Sequence, residues 1–194
     1  MRNITGGSPK PLEKVMIFID GGYLRKLFND LFGDDNIDFL KLRNYMLDLY
    51  NRTPINPFRA NLIRTYYYDG ITDKKEKEYE KQREYFDSLS LKNSFLTVRL
   101  GEAVKKSDGS LRQKGVDILI CVDALTMAYL DYYDTGLFLL ADRDFIPLIK
   151  AVKNAGRKTF SFCYQGQFSK ELAQIFDFRY GFTNPEMEKW QIKQ

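Results

Sequence analysis

Four aspartates stand where strands end or a helix begins, and carboxylates in such places can bind a metal ion. The apolar run VMIFI (15–19) stops at Asp20, and LFLLA (137–141) stops at Asp142-Arg143-Asp144. Asp117 opens the long apolar stretch VDILICVDALTMAYLDYY (116–133). In an open parallel sheet the carboxyl ends of the strands share one edge, and ligands bind there. Carboxylates gathered on such an edge repel one another unless they are protonated or meet a cation. Hard oxygen donors without imidazole suit Mg²⁺ or Mn²⁺. The chain contains no histidine, which excludes Ser-His-Asp and Cys-His catalysis and imidazole-based zinc sites. A divalent ion among these aspartates would acidify water and stabilise charge on phosphorus oxygens, chemistry that needs no histidine.

Each aspartate has an ordinary structural reading as well. Asp20-Gly21-Gly22 also reads as a turn with a helix N-cap. Asp142 also reads as a turn residue, and Asp144 and Asp117 as N-caps of the helices that follow them. Asp123 lies six residues beyond Asp117, off that helix face, and is expected to pair with a basic neighbour. Lys114 precedes the helix acid and could face a phosphate. Arg143, between two acids, could reach a phosphate or pair with a carboxylate. Arg25 and Lys26 follow the first acidic turn, and for all four the solvated-surface reading stands beside the functional one. Tyr66, Tyr67 and Tyr68 alternate faces if they lie in a strand, and packing in the sheet or core is their expected role.

The elements that must position these residues are legible from periodicity. Strands are predicted at 15–19, 59–70, 95–100, 137–141 and 157–164, with FRYGF as a last short strand. Helices are predicted over Tyr23 to Phe32, 38–50, 73–90, 116–133, 144–156 and Ser169 to Phe176. The helix at 116–133 is apolar on most faces and is expected to be buried. Pro147 falls in the first turn of its helix, where proline is tolerated, and Gly156 follows its end. The polar segment 105–115 contains Asp108-Gly109, which could cap a small hairpin. Strands alternating with helices predict an α/β fold with a mainly parallel sheet.

Length and composition set the frame. The 194 residues, 44% of them apolar, suit one domain with a real core. Residues 1–13 read as a flexible leader, 14–182 as the domain, and 183–194 as a peripheral tail. Neither a secretory h-region nor a bilayer-length apolar run is present, so a cytoplasmic location is expected. Cys121 and Cys163 lie inside apolar runs and read as reduced, buried thiols. A net charge of +4 is compatible with a polyanionic partner without demonstrating one. The chain lacks the P-loop G-x-x-x-x-G-K-[ST] and the dinucleotide-binding G-x-G-x-x-G, which disfavours both of those classes. A phosphotransfer or phosphatase domain of another doubly wound type stays open, because strand-end aspartates serve there too.

The ordered set of motifs is more specific than any one of them. IFIDGGYL (17–24), RTYYYDG (64–70), KGVDILICVDAL (114–125), LFLLADRDFIPLIKAVKNAGRKT (137–159) and the Ser169-to-Leu172 step with Asp177 together resemble the NYN domain family, in particular its LabA-like branch, within the PIN-like nuclease superfamily. The resemblance implies a three-layer α/β/α sandwich and an acidic pocket for Mg²⁺ or Mn²⁺. It implies endoribonuclease activity on RNA, with a homodimer as a reasonable assembly. By motif position, Asp20, Asp117, Asp142 and Asp144 carry over as metal-binding and catalytic acids. Lys114 and Arg143, placed beside these acids in the sequence, are the candidate substrate contacts. Two departures stand out. Many relatives carry asparagine after the first Asp-Gly, where this chain has Gly22. Many also have a Gly-Asp-Ser-Asp-Phe-like turn, where this chain has Ala141 to Phe145. A non-catalytic RNA-binding module on the same fold is the alternative function.

Overall fold

A computed structural model describes residues 10–54, 56–105, 111–167 and 169–192. Seven strands form one sheet in the order β4-β3-β2-β1-β5-β6-β7. They are β1 (Leu12–Asp20), β2 (Arg59–Ile71), β3 (Leu96–Lys105), β4 (Leu111–Lys114), β5 (Thr135–Leu139), β6 (Lys158–Tyr164) and β7 (Phe178–Phe182). Every neighbouring pair is parallel except β3 and β4, the expected hairpin. Its predicted turn at Asp108-Gly109 lies outside the described residues.

β1 is central and buried on both faces, which explains its unbroken apolar run. Val15, Ile17 and Ile19 face a core shared with α1 (Gly21–Phe32) and α2 (Phe39–Arg52), through Leu24, Phe28, Leu42 and Met46. Met16 and Phe18 face a second core shared with α4 (Val116–Tyr129) and α5 (Ile146–Asn154), through Ile120, Ala124, Ile149 and Val152. Two cores on opposite faces of one sheet make the expected α/β/α sandwich. Burying each such side chain contributes roughly 1.5–3 kcal/mol against exposure. Tyr67 falls in the first core and Tyr68 in the second, as alternation requires.

Several boundaries differ from expectation. β1 begins at Leu12, inside the predicted leader, because Leu12 to Lys14 pair with Arg59 to Asn61 of β2. Leader residues 1–9 lie outside the described residues. The helix expected from 73 is α3 (Tyr79–Lys92). Asp73 accepts a hydrogen bond from Lys75 N at 2.9 Å, and that local turn replaces the first helical turns. α4 is buried on one side only, with Ile118, Val122 and Tyr129 exposed on the other. Its chain leaves the helix at Leu130, just before Asp131 adopts φ 62°. Residues 143–145 form a 3₁₀ turn ahead of α5, and Gly156 at φ 78° closes that segment. α6 (Lys170–Ile175) then crosses to β7 as predicted. Cys163 is buried and Cys121 half-buried, and neither is in a disulfide.

The C-terminal stretch is not peripheral. After α7 (Asn184–Met187), Met187 and Trp190 are fully enclosed in the first core. The Trp190 ring lies 4.9 Å from that of Tyr45, and Asp38 N donates to Trp190 O at 2.6 Å. The large indole completes a wall the sheet and α2 leave open, a packing role that no local pattern reveals. Among the described residues no helix is long and apolar enough to cross a membrane.

Candidate acidic site at the strand ends

The strand order places a switch point beside β1. The chain leaves β1 for β2 on one side, continues outward to β3 and β4, and returns through α4 to β5 on the other side. Connections that diverge in this way open a crevice at the carboxyl ends of the two strands. Asp20 is the last residue of β1, and Asp142 follows β5. Both line one cleft of about 520 Å³, together with Tyr23, Lys26, Gln113 and Gln167.

Local structure holds both carboxylates from one side. Asp20 N-caps α1, accepting from Tyr23 N at 3.0 Å. Asp142 caps the 3₁₀ turn, accepting from Asp144 N at 2.9 Å. The capping reading is therefore right for Asp20, while Asp142, read as a turn residue, caps the turn as well, and each carboxylate keeps an oxygen that caps nothing. The cap reading is wrong for the other two. Gly115, at φ 79°, is the N-cap of α4, so Asp117 lies in the first turn, and Phe145 is the N-cap of α5. Gly21 lets α1 start this close to the sheet. A Cβ there would lie 2.4 Å from the Tyr67 ring and 2.5 Å from the Tyr68 carbonyl oxygen.

The acids act on one another electrostatically. Burial pushes the Asp20 carboxyl up to about 6; the Tyr23 amide opposes this, and the charges of Asp117 and Asp69 add to it. Burial likewise raises Asp117, and the charges of Asp142 and Asp144 raise it further. Among the described residues none of Asp20, Asp117, Asp142 and Asp144 forms an ion pair. Uncompensated carboxylate oxygens are the donor chemistry of a hard divalent cation. As positioned, no three acidic side chains among the described residues form a metal cage.

Two further acids, Asp69 near the end of β2 and Asp123 in α4, are neutralised. Asp69, the penultimate residue but one of β2, is fully buried. It accepts from Arg25 Nη2 at 2.8 Å, Tyr67 Oη at 2.7 Å, Gly70 N at 2.7 Å and Gln113 Nε2 at 2.5 Å. Arg25 Nε also stands 2.7 Å from Asp69 Oδ2, an ion pair too poorly aligned to be a hydrogen bond. Arg25 is thus no solvated surface residue. Asp123 pairs with Arg99 at 3.2 Å and accepts from Tyr68 Oη at 3.2 Å, the pairing role its spacing predicts.

The predicted substrate contacts lie farther out. Lys114 is exposed at the end of β4, 3.9 Å from Glu102, and is not part of the cleft wall. Arg143 is exposed on the 3₁₀ turn, where its charge helps to lower Glu171. Sequence reasoning missed Tyr23, Gln113 and Gln167 in the cleft wall. Gln113 arrives through the hairpin register that pairs it with Ala103, a relationship that no local spacing encodes.

A mostly parallel sheet between two helical layers, with acids at the switch point, defines an α/β/α sandwich of the PIN-like type. The NYN domain family matches residues 14–182, and the chain belongs to that family of PIN-like nucleases. Family members generally use divalent metal ions. No curated protein matches the chain. A solved structure of a protein of unknown function from Vibrio parahaemolyticus superposes with a TM-score of 0.63 at 13% identity, covering 96% of this chain and 99% of that one. That likeness speaks to the fold alone.

Proposed function

We propose that the chain is a metal-dependent ribonuclease of the LabA-like branch, hydrolysing RNA phosphodiester bonds internally, with Asp20, Asp117, Asp142 and Asp144 as ligands for Mg²⁺ or Mn²⁺. One observation carries this reading. Four carboxylates from three places in the fold are electrostatically linked at the switch point, Asp117 raising Asp20 and being raised in turn by Asp142 and Asp144, and none of the four is in an ion pair among the described residues. Such an arrangement is costly unless a cation joins it. The ion would acidify water and stabilise charge on the phosphorus oxygens.

The chain's own residues bind and orient. Asp20 and Asp142 are held by backbone amides, Tyr23 N on the first and Asp144 N on the second, which limits their rotation. Lys26 lines the same cleft without a carboxylate partner among the described residues and attracts a phosphate. Arg143 and Lys114 act from the rim, where exposed cations steer a polyanion more than they hold it. Pairing of two chains and a cytoplasmic setting belong to the same reading. Sedimentation of the purified protein measures the first.

The separation of the acids favours one rival, an RNA-binding module without turnover. Incubation with single-stranded RNA in Mn²⁺ or Mg²⁺, against chelator, separates the two. The nuclease reading expects metal-dependent cleavage that disappears in Asp20→Asn/Asp142→Asn. RNA binding without cleavage at any metal concentration supports the rival, and cleavage surviving in the double variant overturns the assignment of the site.

A further inference from the structure

A second cleft of about 490 Å³ adjoins the acidic one, and the two share Gly22, Lys26 and Gln113. We propose that this second cleft is a nucleotide subsite, in which the base next to the scissile phosphate lies against Gln113, Gln82 and Asn29 while Lys26 holds the intervening phosphate. The proposal rests on the RNA reading above.

Charge decides that a base, not another phosphate, fills it. Arg25 lines the cleft, but Asp69 occupies its guanidinium and Asp35 stands 3.6 Å away. Apart from Lys26 at the boundary with the acidic cleft, the polar side chains that remain on the wall are neutral amides. Gln82 Oε1 accepts from both Thr72 N and Thr72 Oγ1, which turns its amide nitrogen free of those bonds. Asn29 Nδ2 donates to Arg25 O, which leaves its oxygen. Gln113 Nε2 donates to the buried Asp69, which leaves Oε1. Amide oxygens repel phosphate and hydrogen-bond to base edges, the usual way a splayed single strand is read. Lys26 sits on the saddle between the clefts, where a backbone crossing from one to the other places its phosphate.

Gly22 makes room for this arrangement. A Cβ at position 22 would lie 2.4 Å from Gln113 Oε1 and 2.7 Å from Nε2. Absence of a side chain on α1 and presence of an amide on β4 are therefore one feature. Gln113 is a positioning residue, since it touches the neighbouring nucleotide and not the reacting atoms.

An abasic scan tests this. Fluorescence anisotropy in chelator would measure the binding of an octaribonucleotide whose single abasic position is walked along its length. In the native protein one position should weaken binding about tenfold, the worth of one or two hydrogen bonds. That sensitivity should vanish in Gln113→Ala, whose Asp69 keeps three other donors, and in Gly22→Ala, which a helix accepts. Lys26→Ala should instead weaken every oligonucleotide alike and reduce the salt dependence. A flat native scan, or one unchanged by both Gln113→Ala and Gly22→Ala, overturns the subsite, whatever the cleavage assay shows. A scan dependent on Gln113 with no metal-dependent cleavage keeps the subsite and removes the nuclease reading. Absence of RNA binding by the native protein removes both.

Discussion

Asp20 and Asp69 end neighbouring parallel strands but meet opposite surroundings. Asp69 is enclosed by a guanidinium, a phenol, a backbone amide and a carboxamide. Asp20, one strand away, has only the backbone amides of Tyr23 and Gly22 on its side and faces two like charges. The first holds the strand ends together, and the second carries an unmet electrostatic demand.

That demand makes Asp20 a stability liability in the metal-free protein. Raising a carboxyl from 3.8 to about 6 costs on the order of 2–3 kcal/mol once it ionises. Asp20→Asn should therefore stabilise the protein in chelator at neutral pH by about that much, read from urea unfolding. Mn²⁺ should raise the melting temperature of the native protein and leave the variant unmoved. Equal responses of both would show that Asp20 is not a ligand.

Arg25→Ala should be severely destabilising. It leaves Asp69 charged and fully buried without a cation, which costs about 3–5 kcal/mol. Urea midpoints at constant slope measure the loss. A change below about 1 kcal/mol would mean that Tyr67, Gly70 and Gln113 suffice for Asp69.

Asp177 supplies a pH test away from the acids. Burial pushes its carboxyl up, but hydrogen bonds from Lys153 and Thr159 outweigh that and hold it below its ordinary value. A carboxylate lowered by folding stabilises the native state at neutral pH, and the gain is lost as pH falls through the folded value. Asp177→Asn should cost about 1–2 kcal/mol at pH 7. The gap to the native protein should close below about pH 4, near the ordinary carboxyl value. A gap independent of pH would assign the loss to geometry rather than charge.

Trp190→Ala should cost about 3–5 kcal/mol, the usual range for emptying a large aromatic site. Unfolding followed by circular dichroism checks it. A near-neutral result would return 183–194 to the periphery that sequence alone assigns.

Much of the architecture is legible in local pattern, and the reasons are local. VMIFI is continuously apolar because a central strand is buried on both faces, and Gly156 ends its segment because it adopts a positive φ. Asp20 and Asp142 could be singled out because each follows such a run. Burial of the helix at 116–133 was legible only in part. Hydropathy records how apolar α4 is, but not that Ile118 and Val122 face away from the core.

By itself the sequence determined the alternation of strands and helices, the α/β class, the absence of imidazole chemistry and the acids that end two strands. These follow from side-chain periodicity and composition, which act over a few residues. Only the tertiary structure decided which acids are satisfied. Asp69 and Asp20 look alike in sequence, each an aspartate followed by glycine at a strand end. Arg25, Gln113 and Tyr67 reach only one of them, because helix packing and hairpin register bring distant residues to a single carboxylate. Long-range packing likewise carried Trp190 into the core and laid Gln113 over Gly22. Such contacts depend on where whole elements dock, and local spacing carries no record of that.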